Sequence, residues 1–203
     1  MRMQAVLCGC VIAGIAIGCA PRDASESAAD TTAAPSHMAA TAQPGSDEEK
    51  IANAMSAAPD SIARNATILD WPATEGGEFR QLRAGTNGWT CYPNTPAPAS
   101  ALGEDPMCLD AVFQQWAEAF LAKRDPQITR VGFAYMFSGD RGVSASDPNA
   151  TDPATTPDWI VSGPHVMVVA PRGQIAGLPT TPSAGPWVMW SGTPYAHIMM
   201  PVR

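Results

Sequence analysis

Charge is scarce in this chain. Only 15% of its residues are Asp, Glu, Lys or Arg, against roughly a quarter in an average globular domain. Positive charge is the scarcer sign: 12 Lys+Arg stand against 19 Asp+Glu, a net charge of −7. That balance lacks the basic footprint a nucleic-acid partner requires, so none is expected. Signature motifs are missing as well. There is no P-loop, no G-x-G-x-x-G, no G-x-S-x-G, no C-x-x-C and no C-x-x-C-H, which leaves nucleotide, nucleophile-elbow, dithiol and haem chemistry without a sequence basis. No cofactor follows from the motifs, and the reading leans away from an enzyme.

What is abundant is proline and glycine. Twenty Pro and 17 Gly argue against an all-helical bundle, because both residues break helix interiors. At the N-terminus, Arg2 precedes an uncharged, mostly apolar run from Ala5 to Ile17. That run is long enough for a signal-peptide core and short of the about 20 residues that span a bilayer. Residues 1–18 therefore read as a lipoprotein signal peptide. The following Ala16-Ile17-Gly18-Cys19 resembles a bacterial lipobox, which implies cleavage before Cys19 and acylation (palmitate among the chains) of its sulfur. Ala20 rather than Asp follows, which by resemblance to Gram-negative sorting implies an outer-membrane lipoprotein facing the periplasm. An ordinary cleaved signal, giving a periplasmic or secreted protein, is the alternative.

Residues 19–46, rich in Ala, Ser, Thr, Pro and Asp, bury too little apolar surface to offset ordering entropy and read as a tether. Residues 47–203 are then one globular domain, a size that buries about two thirds of its surface. Of five cysteines, Cys8 and Cys10 leave with the signal and Cys19 carries lipid. Cys91 and Cys108 remain, and an even pair in an exported chain reads as a disulfide. A metal or redox pair is the rival.

Along the domain, Ile51, Ala54, Met55 and Ala58 share a face at helical spacing, and Pro59 ends that helix and opens a short second one. Leu109, Val112, Phe113, Trp116 and Phe120 form an apolar stripe on a helix of about 109–124, closed by Asp125-Pro126. Strands are expected at Ala66–Trp71, Glu78–Leu82, Ile128–Phe137, Trp159–Val161, His165–Val169, Trp187–Trp190 and Tyr195–Met200, with an Asn-Gly turn at Asn87-Gly88. Residues 138–157 read as a long polar loop. The expected fold is α+β: a mostly antiparallel sheet with the 109–124 helix packed on one face.

Four strings look family-like: Leu82-Arg83-Ala84-Gly85-Thr86-Asn87-Gly88-Trp89-Thr90-Cys91, Asp105-Pro106-Met107-Cys108-Leu109-Asp110, Gly163-Pro164-His165-Val166-Met167, and Trp190-Ser191-Gly192-Thr193-Pro194-Tyr195-Ala196-His197. With them, the stretch from about Ile51 onward resembles a group of exported bacterial proteins without assigned function. That resemblance implies one unit and carries no activity.

The last two strings also echo each other, each giving His-apolar-Met after a Gly/Pro turn. On a strand, His165 shares a face with Met167, and His197 with Met199. On neighbouring strands in matching register, two imidazoles and two thioethers would meet, a donor set that favours copper. Core packing, with Met filling gaps, is the competing reading. Ser162 and Ser191 each precede a histidine, the slender basis for a hydrolase. Asp140, Asp147, Asp152 and Asp158 offer oxygen ligands at spacings no EF-hand uses. Six tryptophans suit a binding surface, and Trp187 and Trp190, three apart, should not share a strand face. The favoured function is a lipid-anchored envelope module that binds a small ligand or an envelope protein, or is structural. A periplasmic copper-type binder using His165, Met167, His197 and Met199 is the alternative, with a hydrolase third.

Overall fold

Residues 45–74, 76–96 and 103–202 are described by a computed structural model. The chain enters through α1 (Asp47–Met55), whose start is specified locally: the Ser46 hydroxyl accepts the Glu49 amide while the Glu49 carboxylate accepts the Ser46 amide, a capping box. Helix α2 (Asp60–Ala63) follows Pro59. Ten short strands come next, β1 (Thr67–Asp70), β2 (Arg80–Arg83), β3 (Thr90–Tyr92) and β4 (Met107–Leu109), then, after helix α3 (Ala111–Leu121), β5 (Gly132–Met136), β6 (Val143–Ser144), β7 (Trp159–Ile160), β8 (His165–Val169), β9 (Trp187–Met189) and β10 (His197–Pro201).

Eight of these strands make one sheet in the order β2-β1-β3-β4-β5-β8-β10-β9, while β6 and β7 pair separately. The fold is mixed α+β and the large sheet is mostly antiparallel. The exception is β1 beside β3, which run parallel. The Asn87-Gly88 turn therefore does not close a hairpin between β2 and β3, because β1 lies between them. Gly88 at φ +78 and the Trp89 amide bonded to Asn87 Oδ1 at 3.1 Å make it a turn in a longer crossover.

Helix α3 is shorter than the expected 109–124. Leu109 belongs to β4, and Asp110 caps the helix by accepting the Val112 and Phe113 amides. A second oxygen of Asp110 accepts the Phe133 amide at 2.8 Å, so one carboxylate ties the helix start to β5. Lys123, at φ 52, leaves the helical region, and the last turn ends before it. Of the four buried residues of α3, Val112, Phe113 and Trp116 belong to one cluster with Leu109, Ala134, Val169, Trp187, Met189, Trp190 and Met199. A second cluster joins Ala54, Ala57, Ala58, Ala66, Ile68, Cys91 and Cys108.

Cys91 and Cys108 are disulfide-bonded and directly opposite each other on β3 and β4. Close by, Lys50 is buried on α1 with its ammonium 2.8 Å from Asp70 at the end of β1. A buried lysine needs such a partner, and Arg80 on β2 joins it at 2.9 Å.

The polar stretch 138–157 is not plain loop. It contains β6, paired with β7, and acids in it and just after it are caps: Asp147 accepts the Asn149 amide, and Asp158 the Ser144 hydroxyl and the Ser146 amide. Polar side chains that bond their own backbone order a segment that periodicity alone marks as irregular. No helix among the described residues is long and apolar enough to cross a membrane.

Candidate functional site

The two His-x-Met segments are β8 and β10, adjacent and antiparallel, with Met199 directly opposite Met167 and Pro201 opposite His165. Directly opposed residues share a face, and strand period is two. His165, Met167, His197 and Met199 therefore project from one face of the sheet. The same register adds two residues that sequence reasoning did not include. Met136 on β5 is directly opposite His165, and Met189 on β9 is directly opposite His197.

Antiparallel pairing puts the histidines at opposite ends of the Met167/Met199 pair. Their backbones stand four strand positions apart, roughly 13 Å. Each imidazole thus keeps its own neighbours, His165 with Met136 and Met167, His197 with Met189 and Met199.

Both rings are fixed in the same way. His165 Nδ1 donates to the Gly163 carbonyl at 2.7 Å, and His197 Nδ1 to the Tyr195 carbonyl at 3.0 Å. A carbonyl only accepts, so the proton sits on Nδ1 and Nε2 carries the lone pair. Each Nε2 is buried and has no hydrogen-bond partner. Such an atom costs about 1–3 kcal/mol unless something meets it. Burial, aided by the nearby His165 and opposed by the Tyr195 hydrogen bond, pushes the His197 pKa down to about 4. The ring is neutral at neutral pH.

Aromatic rings enclose His197. Trp116 on α3 and Trp190 just past β9 contact it edge-on, with centroids 5.2 and 5.0 Å away, and the two indoles stack on each other at 6.0 Å. The Trp116 Nε1–H is itself buried without an acceptor. Trp187 and Trp190 are both buried, 3% and 8% exposed, although alternation along one strand would have separated them. The reason is that β9 ends at Met189 and Trp190 adopts φ 55, a left-handed backbone that a bulky residue adopts rarely and at a cost. Hydrogen bonds hold it there: Trp190 N to the Ala145 carbonyl at 2.9 Å and Nε1 to the Ser144 carbonyl at 2.8 Å.

Beyond this enclosure lies a cleft of about 660 Å³, lined in part by Trp116, Ile128, Val169, Arg172, Thr193 and Ala196. Ala196 precedes His197 in the chain. The cleft thus abuts the residues that wall in the imidazole.

Other candidates resolve into structure. Among the described residues, no serine hydroxyl is hydrogen-bonded to an imidazole, and each Nδ1 is committed to a carbonyl. Asp140 accepts the Gly142 and Ser162 amides, Asp147 the Asn149 amide and Asp152 the Ala154 amide. These are turn caps rather than a cation cage. No three His, Cys, Asp or Glu side chains gather as a metal site among the described residues. Cys19, the expected signal segment of residues 1–18 and all but the last two residues of the expected 19–46 tether lie outside the described residues. Comparison with protein families, curated proteins and solved structures finds no match to this chain.

Proposed function

We propose that this protein is a cell-envelope lipoprotein, held to the membrane by acylated Cys19, whose domain of residues 47–203 is a binding module. On this reading it stands with the exported bacterial proteins its sequence resembles. Helix α3 covers one face of the sheet, and the cleft beside Trp116 is the working surface. The observation that carries the reading is the Cys91–Cys108 disulfide, because such bonds persist in oxidising compartments outside the cytosol. The apolar run from Ala5 to Ile17 and the cysteine that follows it supply the route there.

The cleft supports small-molecule binding through its size, within the range of about 300–1,000 Å³ typical of ligand sites, and through its mixed lining of Trp116, Ile128, Gln127 and Arg172. Arg172 is paired with Asp125 at 3.2 Å, so a charged ligand group would have to displace or join that exposed pair. Mass spectrometry of the mature N-terminus, on protein taken from its own host, tests the anchor. Acylated Cys19, and loss of membrane association in Cys19→Ala, are expected. An unmodified, freely soluble wild-type product overturns the proposal.

A further inference from the structure

We infer that His197, Met189 and Met199 form a buried binding site for a soft monovalent cation, Cu(I), roofed by the Trp116 and Trp190 rings. The three donors are brought together by pairing between β9 and β10: Met189 is directly opposite His197, and Met199 is two positions along β10 on the same face. None is more than 2% exposed.

The chemistry of the set selects the ion. One neutral imidazole lone pair and two thioethers are soft donors, and thioether ligands select Cu(I) among first-row metals. Calcium and magnesium need oxygen ligands, which this set lacks. Zinc sites draw on imidazole, thiolate and carboxylate rather than thioether. The imidazole is already oriented as a ligand: a metal-bound histidine usually donates its other ring N–H to a carbonyl or carboxylate, and His197 Nδ1 does so to Tyr195 at 3.0 Å. Its Nε2 is buried and unpartnered.

The indoles wall the site. Trp116 and Trp190 lie 5.2 and 5.0 Å from the His197 ring, steeply inclined to it, and Trp190 holds its place with a left-handed backbone. Access runs through the cleft, which Trp116, Val169 and Ala196 line. Rotation of the Trp116 indole would open it to Nε2. The competing account is a closed core in which Trp116 Nε1–H swings to donate to His197 Nε2, with the methionines as gap-fillers.

Titration with Cu(I) distinguishes the two. Full-length protein, its free thiols alkylated, is titrated anaerobically with Cu(I) against a chromophoric chelator, with Ag(I) as redox-inert probe and Zn(II) as comparison. An equivalent of Cu(I) or Ag(I) should bind with quenching of tryptophan fluorescence, and Zn(II) should not compete. The double variant Met189→Leu/Met199→Leu keeps core volume and should fold, while losing at least about a hundredfold in Cu(I) affinity. Met136→Leu/Met167→Leu, around His165, should retain that equivalent. In wild-type protein, Ag(I) should shift the nitrogen resonance of His197 Nε2, a readout that does not depend on any variant folding. A wild-type protein that binds neither cation, equal affinity for Zn(II), undiminished affinity in Met189→Leu/Met199→Leu, or an unmoved His197 Nε2 each overturns the site.

Discussion

Replacing Asp70 with Asn should cost this domain more stability than any other single change of charge. Asp70 is 5% exposed and receives three donors: Lys50 Nζ at 2.8 Å, Arg80 Nη2 at 2.9 Å and the Trp71 amide at 3.1 Å. Lys50 is itself 9% exposed, so the substitution strands a desolvated ammonium. Removing one partner of a buried pair costs about 3–5 kcal/mol. The lower end applies here, since Asn still accepts hydrogen bonds and Arg80 keeps its two contacts with Asp47 at 2.7 and 2.8 Å. About 3 kcal/mol corresponds to a melting temperature lower by about 6–12 °C for a domain of this size. Lys50→Met should cost less, about 1–2 kcal/mol, because Asp70 retains Arg80. Lys50→Met/Asp70→Leu should recover part of the loss, since a well-packed apolar pair replaces a buried ion pair at little cost. Urea unfolding with the disulfide intact, at 0.1 and 1 M salt, measures all three; the higher salt shortens the Debye length from about 10 to about 3 Å and weakens the exposed Arg80–Asp47 contact far more than the buried pair. A loss below about 1 kcal/mol for Asp70→Asn, or one abolished by high salt, would show that Lys50–Asp70 is not the desolvated contact tying α1 to β1.

Two more outcomes follow from local geometry. A Cβ on Gly132 would sit 2.7 Å from Val112 Cβ and 2.9 Å from the Phe113 amide, so Gly132→Ala must push α3 off β5. It should cost about 1–3 kcal/mol with altered near-UV dichroism from Trp116; a melting temperature equal to wild type refutes that contact. Burial, with the charge of Glu118 adding to it, pushes the Tyr92 hydroxyl up to about 12 from an ordinary value of about 10. A raised folded pKa leaves stability intact below pH 10 and removes it as pH climbs toward 12. Tyrosinate absorbance should therefore include a late step that coincides with unfolding and is missing from Tyr92→Phe. Wild-type and Tyr92→Phe titrations that differ only near pH 10 would refute it.

Features written in local sequence were readable before any coordinates. The stripe Val112, Phe113, Trp116 repeats at the helical period and α3 forms there, starting two residues later than the stripe suggests because Asp110 caps it. The pair Cys91 and Cys108 was left over by counting, and it is bonded. His165 with Met167, and His197 with Met199, share a strand face by the period of two. Each of these rests on interactions spanning only a few residues, or on a tally.

What lay opposite those faces was beyond reach of the sequence. Nothing in the order of residues says that β1 inserts between β2 and β3, or that β10 inserts between β8 and β9. Met189 becomes a neighbour of His197, and Met136 of His165, only through that pairing. Lys50 gains its partner only because β1 brings Asp70 against α1. Trp190 broke its expected alternation because carbonyls from β6 and the residue after it captured its backbone and indole N–H. Local propensity and period act over one to four residues, whereas strand order and register are chosen by hydrogen bonding and burial between segments tens of residues apart. The sequence by itself determined the faces of this protein's helices and strands; the tertiary structure decided which faces meet, and with them the donors around His197.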